Sequence, residues 1–312
     1  MIKRVFGRPG LSVSALGLGC NNFGMRLDLD KTRAVVDAAT EVGINFIDTA
    51  DVYGGRGGSE TLLGATLGNR RKDFILATKF GLPMDLEGRL QGGSRSYVLS
   101  AVEASLKRLK TEWIDIYYLH RPDPTTPIEE TLDALDELVR QGKVRYAGCS
   151  NLPGPELADA MDLARTKKLA GFVAVQDEYN LMSREIETSL VPVIERFGLA
   201  LVPYFPLASG LLTGKYRKGQ PMPTGTRLSD PRFSTRFANE QNFEVVERLA
   251  AFCAERGRTM LELALGWLLA RPFVASVIAG ATTPEQVRQN ASALGWQLTA
   301  DEIAAVERIT AR

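Results

Sequence analysis

Trp113-Ile114-Asp115-Ile116-Tyr117-Tyr118-Leu119-His120-Arg121-Pro122 is an apolar, β-favouring run that stops at Arg-Pro. It reads as a short buried strand opening into a polar loop. At its end stands His120, the single histidine in 312 residues. On this stretch alone two readings are open: a strand-end imidazole making local hydrogen bonds, or a group poised for chemistry. The segments on either side repeat the same pattern and decide what kind of strand this is.

Toward the N-terminus, the spacing predicts strands at 74–79, 45–48 and 15–19, preceded by a hairpin over 3–14 that turns near Gly7-Arg8-Pro9-Gly10. Helices are expected at 31–42, capped near Asp30 and closed by Gly43, at 59–67, and at 96–110 with Ser96 as cap. Toward the C-terminus, strands are expected at 144–149, 172–176, 199–204 and 274–278, with helices at 128–141, 155–166 and 186–197. Further helices at 242–257, 259–270, 284–293 and 300–310 complete the chain. Eight strands alternating with helices predict an α/β fold, a (β/α)8 TIM barrel, as one domain over 1–312. An N-terminal hairpin and extra helices near the C-terminus are added to it. The rival, a doubly wound nucleotide-binding sheet, calls for G-x-G-x-x-G after the first strand; Gly17-Leu18-Gly19-Cys20-Asn21-Asn22 puts Asn22 at the third glycine.

Composition narrows the function. With 38 basic and 37 acidic residues, the formal charge of +1 gives no broad electrostatic reason to seek nucleic acid or an anionic membrane. Cys20, Cys149 and Cys253 are odd in number and far apart, which suggests reduced thiols in a cytoplasmic protein and neither a disulfide framework nor a metal site. The N-terminus lacks the apolar core of a signal peptide. The most apolar stretch, 261–281, contains Glu262 and is broken by Arg271-Pro272, short of the roughly 20 uninterrupted apolar residues a membrane span needs. A soluble protein is expected, and the sequence carries no marker of oligomeric state.

Two connections, 81–95 and 208–239, exceed the usual few residues. The second holds Lys215, Arg217, Lys218, Arg227, Arg232 and Arg236 against Asp230 as its sole acid. It reads either as a solvated basic surface loop or as a flap over a phosphate-bearing ligand.

In such a barrel the active site lies at the C-terminal ends of the strands. Those ends carry Asp48, Lys79, His120, Ser150-Asn151, Gln176 and Tyr204. A lysine on the apolar strand 74–79 must find a partner or lose its charge, and Asp48 on the adjacent strand is the natural counter-ion. A structural ion pair alone would account for both. Tyr53, however, lies five residues past Asp48 in a glycine-flanked loop that can curl over the barrel mouth. An ammonium beside its hydroxyl favours the phenolate, which makes a phenol of ordinary pKa about 10 a more competent acid. His120 can hydrogen-bond the same substrate oxygen. Positioned proton transfer is worth roughly 10² to 10⁴ in rate but cannot by itself reduce a carbonyl, so an outside electron source is implied.

Several segments resemble the signatures of the aldo-keto reductases: Phe46-Ile47-Asp48-Thr49-Ala50-Asp51-Val52-Tyr53-Gly54 with Ser59-Glu60, Ala77-Thr78-Lys79, and Asp115-Ile116-Tyr117-Tyr118-Leu119-His120. Gly148-Cys149-Ser150-Asn151, Gln176-Asp177-Glu178-Tyr179-Asn180 and the run from Pro206 to Tyr216 continue the likeness over nearly the whole chain. The resemblance implies Tyr53 as proton donor, Lys79 lowering its pKa, Asp48 pairing with Lys79, and His120 orienting the carbonyl. It implies hydride from NADPH, with NAD as the alternative cofactor. Ser150, Asn151 and Gln176 would hold the carboxamide, and Tyr204 would stack on the nicotinamide. Phe205, Pro206, Leu207, Ser209, Gly210 and Lys215 would line the pyrophosphate, and Gly280, Thr282, Gln286 and Asn290 would meet the adenosine end. Arg288 and the helix start at Pro284 are further candidates for a 2′-phosphate.

One departure lies after the first barrel strand, where Cys20-Asn21 replaces the family's threonine–aromatic pair. Cys20 reads as a small strand-end filler, while Asn21 removes an aromatic wall from the substrate pocket and favours small polar aldehydes, ketones or sugars. The expected function is therefore NADPH-dependent reduction of a small carbonyl. The alternatives are sugar or alcohol oxidation on the same residues, or a cofactor-binding regulatory subunit resembling potassium-channel β-subunits.

Overall fold

A computed structural model describes residues 1–7, 10–220, 222–223 and 225–311, with the Arg232 side chain outside the described set. Lys3–Phe6 (β1) and Leu11–Ser14 (β2) pair antiparallel, Lys3 opposite Ser14 and Phe6 opposite Leu11. Gly7 and Gly10, at φ +60° and +70°, supply the left-handed backbone that this reversal needs. Arg8 and Pro9 of the expected turn lie outside the described residues.

The eight expected barrel strands are Leu16–Gly19 (β3), Phe46–Asp48 (β4), Ile75–Phe80 (β5), Ile114–Leu119 (β6), Val144–Ser150 (β7), Phe172–Glu178 (β8), Ala200–Tyr204 (β9) and Val277–Gly280 (β10). They run parallel in sequence order from β3 to β9, with β10 hydrogen-bonded beside β3. Closure between β9 and β10 passes through the residues just before β10. The Leu201 amide donates to the Phe273 carbonyl at 2.8 Å, and Ala275 donates back to Leu201 at 2.9 Å. The last strand, expected at 274–278, is therefore divided between two neighbours: Val274 bridges Leu201, while 277–280 pair with β3.

Two apolar clusters hold this arrangement. The smaller fills the barrel interior with Phe46, Ala77, Ile116, Tyr118, Ala174 and Val202, and the hairpin's Phe6 and Val13 plug its lower end. The larger binds the outward strand faces to the helices and includes Val36, Leu63, Val102, Leu135, Leu157 and Trp267. Fully burying side chains of this size stabilises by about 1.5–3 kcal/mol each, before conformational entropy is set against it.

Three local expectations are corrected. The helix Leu29–Glu41 is capped by Asp28, whose carboxylate accepts from the Lys31 amide at 3.0 Å. The helix Arg95–Leu109 begins after Ser94 with no serine cap; the Glu130 carboxylate, from a neighbouring helix, takes the Arg95 amide at 2.8 Å instead. The helix expected over 186–197 is two, Ile186–Ser189 and Val191–Phe197. Pro192 explains the break, since it has no N–H to continue the ladder.

Candidate active site

The C-terminal ends of β4, β5 and β6 bring three of the four expected catalytic groups to one rim. Lys79 is fully buried, and its Nζ donates to Asp48 Oδ1 at 2.6 Å and to the Thr49 carbonyl at 2.7 Å. Asp48 Oδ2 accepts from Gln176 Nε2 at 2.8 Å, so both carboxylate oxygens are engaged. Asp48 and its neighbours outweigh the burial that would discharge Lys79, and the ammonium pKa is raised. The Lys79 side chain is a cation under all ordinary conditions.

Tyr53 comes from the loop after β4 and begins the short helical turn Tyr53–Arg56. Its ring is partly open to solvent, while its hydroxyl lies among Asp48, Lys79 and Cys20. Lys79 Nζ stands 5.1 Å from the ring centre. Burial pushes the phenol pKa up, and Lys79 pulls it down against that. The lowering expected from Lys79 is thus present but outweighed, so the hydroxyl holds its proton at neutral pH.

His120 stands one residue past β6, its amide donating to the Phe80 carbonyl at 2.8 Å. Its ring meets Tyr53 edge-on, with centres 5.8 Å apart. Burial, and then the charges of Lys79 and Arg121, push the imidazole pKa down to about 2. Nδ1 is buried without a hydrogen-bond partner among the described residues. The imidazole is therefore neutral: it can orient a polar group, but it carries no spare proton at neutral pH. Of the two rings, only the phenol combines a transferable proton with a cation beside it.

The loop carrying Tyr53 is locked by tight packing. Gly54 sits at φ +70°, and a Cβ there would stand 2.5 Å from the Ser59 amide nitrogen and 2.6 Å from the Phe23 carbonyl. Ser59 Oγ in turn bonds Thr49 Oγ1 at 2.8 Å and the Cys20 carbonyl at 2.9 Å. Gly54→Ala is expected to lower stability by about 1–2 kcal/mol from the backbone alone. It should also lower turnover as Tyr53 is displaced. Denaturant unfolding beside an initial-rate assay would check both, and wild-type values in each would show the loop to be looser than this packing implies.

The remaining expected residues fall into two groups. Ser150 and Gln176 are buried at the ends of β7 and β8, and Asn151 follows at φ +58°. Asn151 Nδ2 donates to Ser150 Oγ at 2.9 Å and to the His120 carbonyl at 3.0 Å, while Tyr204 Oη donates to Asn151 Oδ1 at 2.7 Å. This linkage of Tyr204, Asn151 and His120 was not foreseen from the sequence. After β9, Phe205, Ala208, Ser209 and Gly210 all take positive φ, at 51°, 45°, 57° and 95°. Three non-glycine residues held in left-handed backbone over so short a stretch mark a strained segment of the kind that clusters at ligand sites. Ser209 Oγ is buried without a partner, and Lys215, beside Gly210, has no carboxylate partner among the described residues.

The basic connection is largely structured, and among the described residues three of its cations are paired with carboxylates. It contains short 3-10 turns and the helix Pro231–Phe237. Arg217 pairs with Glu247 at 3.5 Å, Lys218 with Glu240 and Glu244 at 3.1 Å, and Arg236 with Glu178 at 2.8 Å. Arg227 instead lies over the Phe205 and Phe233 rings, 5.8 and 5.4 Å from their centres.

After β10, Gln286 Oε1 accepts from the Thr282 amide at 2.8 Å and from Thr282 Oγ1 at 3.1 Å. Gly280 ends β10, and Asn290 is buried on the helix Pro284–Ser292. Arg288 is drawn to Glu41 at 2.8 Å. Asn21 Oδ1 stands 3.6 Å from where a Cβ on Gly280 would lie, so it borders the last barrel strand. Cys20 is fully buried, and burial drives its thiol pKa well up, which suits a filler and not a nucleophile. Cys149 and Cys253 are likewise buried and unpaired. Among the described residues no helix is long and apolar enough to cross a membrane.

A closed parallel barrel whose mouth gathers an acid–base pair defines a class of barrel enzyme. The description "Aldo/keto reductase family" matches residues 15–311, and the chain belongs to that family. It is 36% identical over 300 residues to "Probable voltage-gated potassium channel subunit beta" of Oryza sativa subsp. japonica, covering 92% of this chain and 89% of that one. It is 35% identical over 304 residues to "L-glyceraldehyde 3-phosphate reductase" of Escherichia coli K12, covering 94% and 88%. "Uncharacterized oxidoreductase YrpG" of Bacillus subtilis is 36% identical over 298 residues, covering 92% and 89%. The protein is an oxidoreductase of this family, whose members generally use NAD(P)H and act on small carbonyl compounds.

Proposed function

We propose that this chain reduces a small aldehyde or ketone to the alcohol with NADPH, Tyr53 giving the proton. The observation that carries this reading is the Lys79 ammonium, fixed by Asp48 and the Thr49 carbonyl and set 5.1 Å from the Tyr53 ring, with a neutral His120 edge-on beside it. When bound, the reduced nicotinamide supplies the hydride for the carbonyl carbon. Tyr53 passes its hydroxyl proton to the oxygen, and Lys79 stabilises the phenolate that remains. His120 orients the carbonyl through a ring nitrogen.

The residues fit a dinucleotide. Ser209's orphaned hydroxyl, the left-handed turns at 208–210 and Lys215 make an anion cradle suited to a pyrophosphate, with Arg227 above Phe205. Ser150, Asn151 and Gln176 would hold the carboxamide, and Tyr204 would stack on the nicotinamide. Gly280, Thr282, Gln286 and Asn290 would meet the adenosine, where the start of the helix at Pro284 favours a 2′-phosphate. Lys215→Met is expected to raise the NADPH dissociation constant about tenfold, the loss of one charged contact. It should also flatten the salt dependence of binding. Fluorescence titration at two ionic strengths checks this, and unchanged affinity would remove Lys215 from the cradle.

The E. coli relative's name makes a small phosphorylated aldehyde one natural member of a test panel. Following NADPH absorbance across aldehydes, ketones and sugars should show turnover that exceeds turnover with NADH. Efficient NAD⁺-linked alcohol oxidation with negligible NADPH-linked reduction would reverse the reading. A tight NADPH complex without turnover would favour a role like that in the rice relative's name.

A further inference from the structure

Behind the catalytic loop lies a second group of buried polar side chains that the proposed reaction leaves unused. Asp51, two residues before Tyr53, is 1% exposed, and among the described residues neither carboxylate oxygen makes a well-formed hydrogen bond, the Val52 amide and the Tyr97 hydroxyl being its nearest donors. Its amide donates to the Lys79 carbonyl at 3.1 Å, which ties it to the strand bearing the ammonium. Facing it are Glu60 from the helix Gly58–Leu67, Tyr97 and Arg108 from the helix Arg95–Leu109, Lys79 from β5 and Tyr117 from β6.

The cations there are already committed. Glu60, fully buried, accepts from Thr78 Oγ1 at 2.6 Å and from Arg108 Nε at 2.7 Å, and Lys79 is taken by Asp48 and Thr49. The hydroxyls of Tyr97 and Tyr117 are buried as well, and among the described residues neither makes a well-formed hydrogen bond, Tyr97 leaning on Asp51 itself. One carboxyl and two phenols thus share an interior region in which the cations that face them, Lys79 and Arg108, are engaged elsewhere. A carboxylate in that setting would be an uncompensated buried charge, and keeping a proton removes it. Burial, then the negative charge of Glu60, pushes the Asp51 carboxyl up to about 8, against the pull of Arg108 and Lys79.

We propose that Asp51 is a positioning residue that keeps its carboxyl proton at neutral pH, facing Tyr97 and Tyr117, and so withholds a negative charge from the Tyr53–Lys79 pair. This inference rests on the reduction chemistry proposed above. As Tyr53 gives up its proton, the phenolate depends on the Lys79 field. A charged Asp51 would oppose the phenolate and draw on that same field. Ionisation of Asp51 is therefore an alkaline brake on reduction.

Three measurements on wild type and Asp51→Asn test this. Infrared spectra of wild type at pH 6 should show the carbonyl stretch of a protonated carboxylic acid that shifts in deuterium oxide and is missing from Asp51→Asn; its absence from wild type overturns the proposal. Stability supplies the second readout. An unfolded aspartate ionises near 4 and the folded one near 8, so between them the unfolded chain binds fewer protons and wild-type stability falls with pH. Asp51→Asn lacks that slope, and parallel curves would sink the idea. Third, kcat/KM for reduction in wild type should fall up to about tenfold per pH unit above 8, while in Asp51→Asn the falling limb moves to higher pH. Coincident limbs overturn the coupling to Tyr53. Should Asp51→Asn fold poorly, Tyr97→Phe leaves the carboxyl in place and should move the limb, and an unmoved limb counts equally against the proposal. An inactive wild type would refute the reduction chemistry alone, because the infrared band and the stability slope read the proton without substrate.

Discussion

Tyr53→Phe is expected to lower kcat for carbonyl reduction by roughly 10² to 10⁴, the worth of a positioned proton donor, while leaving the NADPH dissociation constant within about twofold. The ring stays, and with it the edge contact to His120 and the approach of Lys79 to its face. Only the hydroxyl among Asp48, Lys79 and Cys20 is removed. No other group in the cluster can replace it: burial and the charges of Lys79 and Arg121 keep His120 neutral, and the Lys79 ammonium is held by two acceptors. Stopped-flow or steady-state rates beside a fluorescence binding isotherm separate the terms. A variant retaining a tenth or more of the wild-type rate would mean that the proton comes from elsewhere. Equal loss of cofactor affinity would make Tyr53 a packing residue.

The barrel was legible because its signal is redundant. Each strand is a short β-favouring run bounded by turn residues, and each is followed by a helix of matching period. Errors fell where a tertiary partner overrides the local pattern. Glu130 reaches across to the Arg95 amide, so no serine is needed there. β10 starts late because the preceding residues pair with β9.

The convergence of Asp48, Tyr53, Lys79 and His120 at one rim was legible for a related reason. A lysine in an apolar strand, or a lone histidine at a strand end, conflicts with its surroundings unless it has work to do. Second partners were not legible. That Gln176 holds the other Asp48 oxygen, or that Tyr204 reaches Asn151, depends on side-chain directions across the barrel mouth that spacing does not encode. Asp51 was visible as a letter in the loop motif. Its burial against Glu60 and Tyr97 arises only once the helices Gly58–Leu67 and Arg95–Leu109 close over that loop.

Lys79→Met is expected to be damaging twice over, and the two effects can be separated. Removing the ammonium leaves the buried Asp48 carboxylate with Gln176 as its sole remaining side-chain donor among those described. Breaking a buried pair from one side typically costs about 3–5 kcal/mol, and both side chains here are almost fully buried, so solvent screening offers little relief. The raised ammonium pKa means that the pair is fully present below the ordinary lysine range and is lost only as pH rises through the folded value. Wild type should therefore lose none of the pair's contribution between about pH 6 and 9. Lys79→Met/Asp48→Asn removes the stranded charge and leaves an amide oxygen for Gln176 to bond, so much of the lost stability should return. Activity should not return, because the phenolate at Tyr53 still lacks its cation. Denaturant unfolding and reduction rates on the three proteins give the answer together. Recovery of both stability and rate in the double variant would show that Lys79 serves only to neutralise Asp48, and the role assigned to it beside Tyr53 would be withdrawn.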